Sequence, residues 1–240
     1  MDYGVAKLGG VTQTFMVINT RIYLFGALLS GVILLGGCGQ TDPAQKKFQQ
    51  TKTKAELGDA TAQTELGLMH VSGEGVTKDD VEAVKWFRKA AAQNNPVAAF
   101  NLAVSYTTGE GVTRSDAEAL TWFRKAAELG HTDSQFNLGV AYAQGGSVPK
   151  DLSESVKWLL KAAEQNHSEA QSKLAFMYAS GSGTIRDTVR AHAWWNVAAG
   201  NGDPDARNNL TTLEKEMSPQ QMNQAVQLAR ELSEKLKKQK

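Results

Sequence analysis

Few side chains in this 240-residue chain are placed to do chemistry, and each can be tested by its spacing. The four histidines, His70, His131, His167 and His192, form neither HExxH nor another ligand pair on one helix face, so neither zinc binding nor metal-assisted hydrolysis is expected. Ser147-Val148-Pro149-Lys150 has the Ser-x-x-Lys spacing of an acyl-transfer nucleophile and its base, but neither Ser-Asp-Asn nor Lys-Thr-Gly accompanies it, and it reads as a chance match. Gly73-Glu74-Gly75 is followed by no Gly-Lys-Ser/Thr, and an acidic residue between the glycines would repel phosphate. No catalytic residue, cofactor or metal ligand is expected.

The thiol of Cys38 is different. It is the sole cysteine, so an intramolecular disulfide is impossible. It stands just after the uncharged apolar run Ile22–Leu35, which Arg21 precedes and Gly36 and Gly37 follow, the layout of a secretory signal peptide. At 14 residues the run is short of the roughly 20 that span a bilayer. The tetrapeptide Leu35-Gly36-Gly37-Cys38 resembles the lipobox of bacterial lipoproteins, which implies acylation of the Cys38 thiol and removal of residues 1–37. Two acyl chains would hold the protein on a membrane stably, at about 0.8 kcal/mol per buried CH₂. Gly39, not an aspartate, follows the cysteine, which by the same resemblance implies the periplasmic face of the outer membrane. The stretch before Arg21 is long for a signal peptide's start, and Met16 would give a more conventional one than Met1, though the sequence does not decide between them.

Composition offers no partner class. Lys and Arg number 26 against 25 Asp and Glu, so nucleic acid is not expected despite Lys235, Lys237, Lys238 and Lys240 at the tail. The 5 prolines and the abundant alanine favour helix.

What organises the chain is a step of 36 residues. It links Trp86, Trp122, Trp158 and Trp194; Leu66, Leu102, Leu138 and Leu174; and His70, Tyr106, Tyr142 and Tyr178. Each unit holds two blocks of helical periodicity around a glycine-containing loop, hence a helical hairpin. Gly67 and Gly139 should let the two helices approach, and Gly73, Gly75, Gly109, Gly111, Gly181 and Gly183 should take left-handed backbone in the turns. Asp79, Ser115 and Asp151, each three residues before Glu82, Glu118 and Glu154, have capping-box spacing, which Arg190 breaks after Asp187. The tryptophans should be core.

The expected division is a leader at 1–37, a lipidated tether at 38–44, a capping helix at 45–58, repeats at 59–94, 95–130, 131–166 and 167–202, and capping helices at 203–240, the last starting at Ser218.

The unit NLAVSYTTGEGVTRSDAEALTWFRKAAELG resembles the Sel-one-like repeat, a relative of the tetratricopeptide repeat, over about Ala55 to Leu210. Departures are Ser147 for a loop glycine, Leu160 for Arg, and WWNVAA for WFRKAA in unit four. The resemblance implies an all-α, right-handed solenoid whose first helices line a concave face, and an adaptor that binds a protein or peptide. On that face it implies exposed positions at Thr64, Phe100, Phe136 and Ser172, and at Leu68, Val104, Val140 and Phe176. It also implies that Asn101 and Asn137 could hydrogen-bond an extended peptide. Phe100 and Phe136 could equally fill space between adjacent first helices. Relatives in this family also suggest assembly of an envelope polysaccharide or secretion complex, or a β-lactam-related activity; the paired cysteines of the β-lactam-binding relatives are missing here.

Overall fold

The computed structural model describes residues 42–146 and 148–238. The expected leader, Cys38 and most of its tether, and Ser147 lie outside the described residues.

Among those residues the chain forms eleven helices and no strand. They are α1 (Pro43–Glu56), α2 (Ala60–Ser72), α3 (Asp80–Ala92), α4 (Pro96–Thr108), α5 (Asp116–Glu128), α6 (Thr132–Gln144), α7 (Leu152–Glu164), α8 (Ser168–Ser180), α9 (Thr188–Gly200), α10 (Ala206–Glu214) and α11 (Pro219–Lys237). No described helix is long and apolar enough to cross a membrane. The first helix starts at Pro43, inside the expected tether, because Asp42 accepts the Ala44 N–H and proline occupies the first turn.

Helices α2/α3, α4/α5, α6/α7 and α8/α9 are the four hairpins, and each second helix packs on the first helix of the next unit. Helix α1 serves as a lone second helix before them. Helices α10 and α11 follow, and both pack on α9.

The second helices are capped only half as expected. Asp79, Ser115, Asp151 and Asp187 accept the N–H three residues on, at 2.9, 3.3, 3.0 and 2.9 Å. The reciprocal bond is absent because each cap's own N–H donates to the first helix, to the carbonyls of His70, Tyr106, Tyr142 and Tyr178. Glu82 and Glu154 are thereby free to pair with Lys85 and Lys157, at 2.7 and 2.6 Å. A complete capping box forms at Ser218 and Gln221, where no first helix competes for the N–H.

Small residues set the hairpin spacing. A Cβ on Gly67 would fall 2.5 Å from the Phe87 ring, and one on Gly139 2.8 Å from Leu159. Unit two carries Ala103 at that register, and its Phe123 is only half-buried, whereas Phe87 is buried completely. Trp122 is likewise half-buried, while Trp86, Trp158 and Trp194 are core as expected.

Candidate functional site

The first helices present the residues expected to meet a partner. Helices α2, α4, α6 and α8 each start two residues after a backbone position of positive φ, Gly58, Asn94, Gly130 and Asn166, and Gly202 holds the same place on the 36-residue period ahead of α10. The following N–H reaches back to the preceding helix, as His131 does to Ala126, in the manner of a Schellman close. One turn thus ends a helix and caps the next, holding the first helices in register.

Along this face exposure varies by unit. At one register Leu68 is 41% exposed, Val104 is half-buried, Val140 is buried and Phe176 is 61% exposed. The short Val140 does not clear its neighbours, so its expected exposure is corrected; Phe176 projects. At the other register Thr64 is buried, because its hydroxyl turns back to donate to the Ala60 carbonyl at 2.8 Å, and it too is removed from the exposed set. Ser172 is half-buried.

Phe100 and Phe136 are half-buried, and each is covered by an imidazole of the next unit. Phe100 stacks on His131 and Phe136 on His167, both at 4.4 Å between centroids and within 20° of parallel. The edge of Phe123 meets Phe100 at 5.8 Å. Their space-filling role is therefore realised, with histidine as the filler's partner.

The asparagines diverge. The Asn101 amide donates to Val97 O of its own helix at 2.8 Å, so it is not free for a peptide in this conformation. The Asn137 amide nitrogen is enclosed and has no partner.

The histidines do unexpected work. His131 Nδ1 accepts the Ser134 N–H and His167 Nδ1 accepts the Ala170 N–H, both at 3.2 Å, so each imidazole caps a first helix. Burial holds both rings below the ordinary imidazole pKa; Asp133, whose carboxylate lies 3.7 Å from His167 Nε2, opposes this. His192 bonds Glu214 at 3.1 Å, and Phe48 meets His70 edge-on. Among the described residues no group of three His, Cys, Asp or Glu side chains converges to hold a metal ion.

A second feature went unread in the sequence, an amide clip between units. Gln93 Nε2 donates to Gly58 O at 3.0 Å and to buried Gln63 Oε1 at 2.8 Å, while Gln63 Nε2 donates to Ala55 O. Gln165 with Gln135 repeats the pattern, and Asn201 with Gln171 does so with the Asn166 side-chain oxygen in place of the backbone carbonyl. In unit two the pair is Ala99 and Leu129. The signal was there as glutamines 30 residues apart at a fixed phase.

The profile of the Sel1 repeat matches residues 60–95, 96–131, 132–167 and 168–203. A Sel1 repeat protein from Oxalobacter formigenes superposes with a TM-score of 0.70 at 35% identity, over 71% of this chain and 50% of that one. A protective antigen of uropathogenic Escherichia coli with the same type of fold is 26% identical, with a TM-score of 0.42, over 80% of this chain and 57% of that one. The secretory immunoglobulin A-binding protein EsiB of Escherichia coli O6:H1 is 49% identical over 43 residues, 18% of this chain and 9% of EsiB. The chain thus spans between a tenth and three-fifths of the length of these proteins. Four contiguous matches, on hairpins whose caps and inter-unit turns recur every 36 residues, place the chain in the Sel1 repeat family, whose solenoids typically serve as protein-interaction scaffolds.

Proposed function

We propose that the chain is a non-enzymatic adaptor of a bacterial envelope, lipidated at Cys38, facing the periplasm from the outer membrane and binding a protein or peptide through its first-helix face. The observation that carries the binding reading is the register of Leu68, Val104, Val140 and Phe176. Within a scaffold whose buried positions repeat, this row changes in size and exposure, and it ends in a phenylalanine 61% exposed to solvent. An aromatic side chain in that setting is an anchor for a partner's apolar side chain. The apolar run ending at Cys38 supports the anchor.

The test is crosslinking and affinity capture from intact cells, with Leu68→Ala/Phe176→Ala compared with the unaltered chain. Both residues are exposed, so the fold should persist. Loss of two contacts at a hot spot should weaken capture by about 30-fold or more. Unchanged capture would remove this face from the account. Metabolic palmitate labelling that persists in Cys38→Ala would remove the anchor. EsiB is named for secretory immunoglobulin A, and with only 43 residues matched that ligand is one arm of the capture experiment.

A further inference from the structure

The five turns that open the first helices carry a residue at one phase: Asp59, Asn95, His131, His167 and Asp203. All five do one job. Asp59 accepts the Ala62 N–H at 2.7 Å, Asn95 that of Ala98 at 3.0 Å and Asp203 that of Ala206 at 2.9 Å, just as the two imidazoles accept those of Ser134 and Ala170. An imidazole can accept at Nδ1 only when that nitrogen carries no proton, so the cap needs a neutral ring with its proton on Nε2. A protonated ring would point N–H at N–H and set a cation at the positive end of a helix dipole. Of the five caps, therefore, only these two change chemistry between pH 7.5 and pH 5.

Each of these rings also covers a phenylalanine of the first-helix face. We propose that His131 and His167 are a proton-operated latch: neutral, they cap α6 and α8 and lie over Phe100 and Phe136; protonated, they leave both places and open those rings to solvent or to a partner. The groups around them decide the range. His131 faces Phe100 of α4, whose ring the edge of Phe123 of α5 also meets, and Ser134 and Asp133 of its own helix. His167 faces Phe136 and Asp133 of α6 and Glu169 of its own helix. Burial outweighs these carboxylates, so the latch opens below the ordinary imidazole pKa of about 6.5. What the opening serves rests on the reading of this face as the contact surface; the latch itself does not.

The test uses the full chain in mild detergent and no partner, so it stands or falls apart from the capture experiment. Amide exchange, normalised to the chemical rate, is compared at pH 7.5 and 5.0, with hydroxyl-radical footprinting of the phenylalanines. At pH 5.0 the Ser134 and Ala170 amides should lose about fivefold more protection than those of Ala62 and Ala98, in keeping with loss of one cap each. Oxidation of Phe100 and Phe136 should rise over the same range. In His131→Asn/His167→Asn, which installs the cap used at Asn95, both changes should vanish. Equal loss at all four amides, a response that survives in the asparagine variant, or freed amides with the phenylalanines still shielded would each overturn the latch.

Discussion

Replacing Gln93 by leucine should destabilise the chain, and replacing Gln63 by alanine as well should restore much of what was lost. The reasoning starts from the clip. Gln63 is 5% exposed, and its Oε1 receives the Gln93 amide at 2.8 Å. Gln93→Leu orphans that buried oxygen, a cost of about 1–3 kcal/mol. Gly58 O also loses its donor, but Gly58 is exposed and water replaces it. In Gln63→Ala/Gln93→Leu the orphan is gone, and Ala55 O, which loses the Gln63 donor, keeps the Gly58 N–H at 3.1 Å. The double variant also reproduces a pair the chain already uses, fully buried Ala99 with half-buried Leu129. Replacing both partners of a hydrogen bond with apolar groups is close to neutral, so the double should cost under about 1 kcal/mol. The assay is differential scanning calorimetry of the two single variants and the double. At about 2–4 °C per kcal/mol for a chain of this size, Gln93→Leu should lower the melting temperature by several degrees and the double by only one to three. If Gln93→Leu and the double melt together, the buried oxygen carries no penalty and the clip is decoration.

Three further outcomes follow from particular contacts. Gly111→Ala should cost about 2 kcal/mol or more, since φ is +71° and its Cβ would sit 2.1 Å from Asp80 O; Gly130→Ala, at φ +94° with nothing within 4 Å, should cost about 1, and urea denaturation separates the two. Trp158→Ala should cost about 3–5 kcal/mol by the same measurement, and Trp122→Ala less, because that side chain is only partly buried. Because His131 and His167 are held below their unfolded pKa of about 6.5, the unfolded chain takes up protons first as pH falls. Their contribution is therefore fully present above about pH 7 and declines through 6.5 towards the folded values, so the melting temperature should drop over that range by less in His131→Asn/His167→Asn.

The architecture was legible because a repeat reports its core several times over. One tryptophan says little; Trp86, Trp122, Trp158 and Trp194 at one phase say that four second helices bury the same face. Turn glycines were legible for the same reason, and Gly73, Gly109 and Gly181 do take positive φ. What escaped is what depends on competition between partners. The spacing of Asp79 and Glu82 announces a capping box, but spacing cannot show that the Asp79 N–H is claimed by His70 O from another helix. Nor does Trp122 itself announce its partial exposure, which accompanies a neighbouring hairpin contact altered by Ala103.

The first-helix face was harder still, since register places a residue on a face without saying what the neighbouring unit lays over it. Thr64 and Phe100 share a register, yet one folds its hydroxyl back onto its own helix and the other lies under an imidazole from the next turn. That imidazole was readable by another route. Comparing the residue after each positive-φ position sets His131 and His167 beside Asp59, Asn95 and Asp203, all capping residues, and a histidine in such company has to accept through Nδ1. Periodicity compared by type exposes the core; compared by chemical role it exposes the places where one unit differs. In a scaffold whose second helices are nearly interchangeable, those differences, Phe176 in its row and the two histidines in theirs, are where a partner and a condition for meeting it can be encoded.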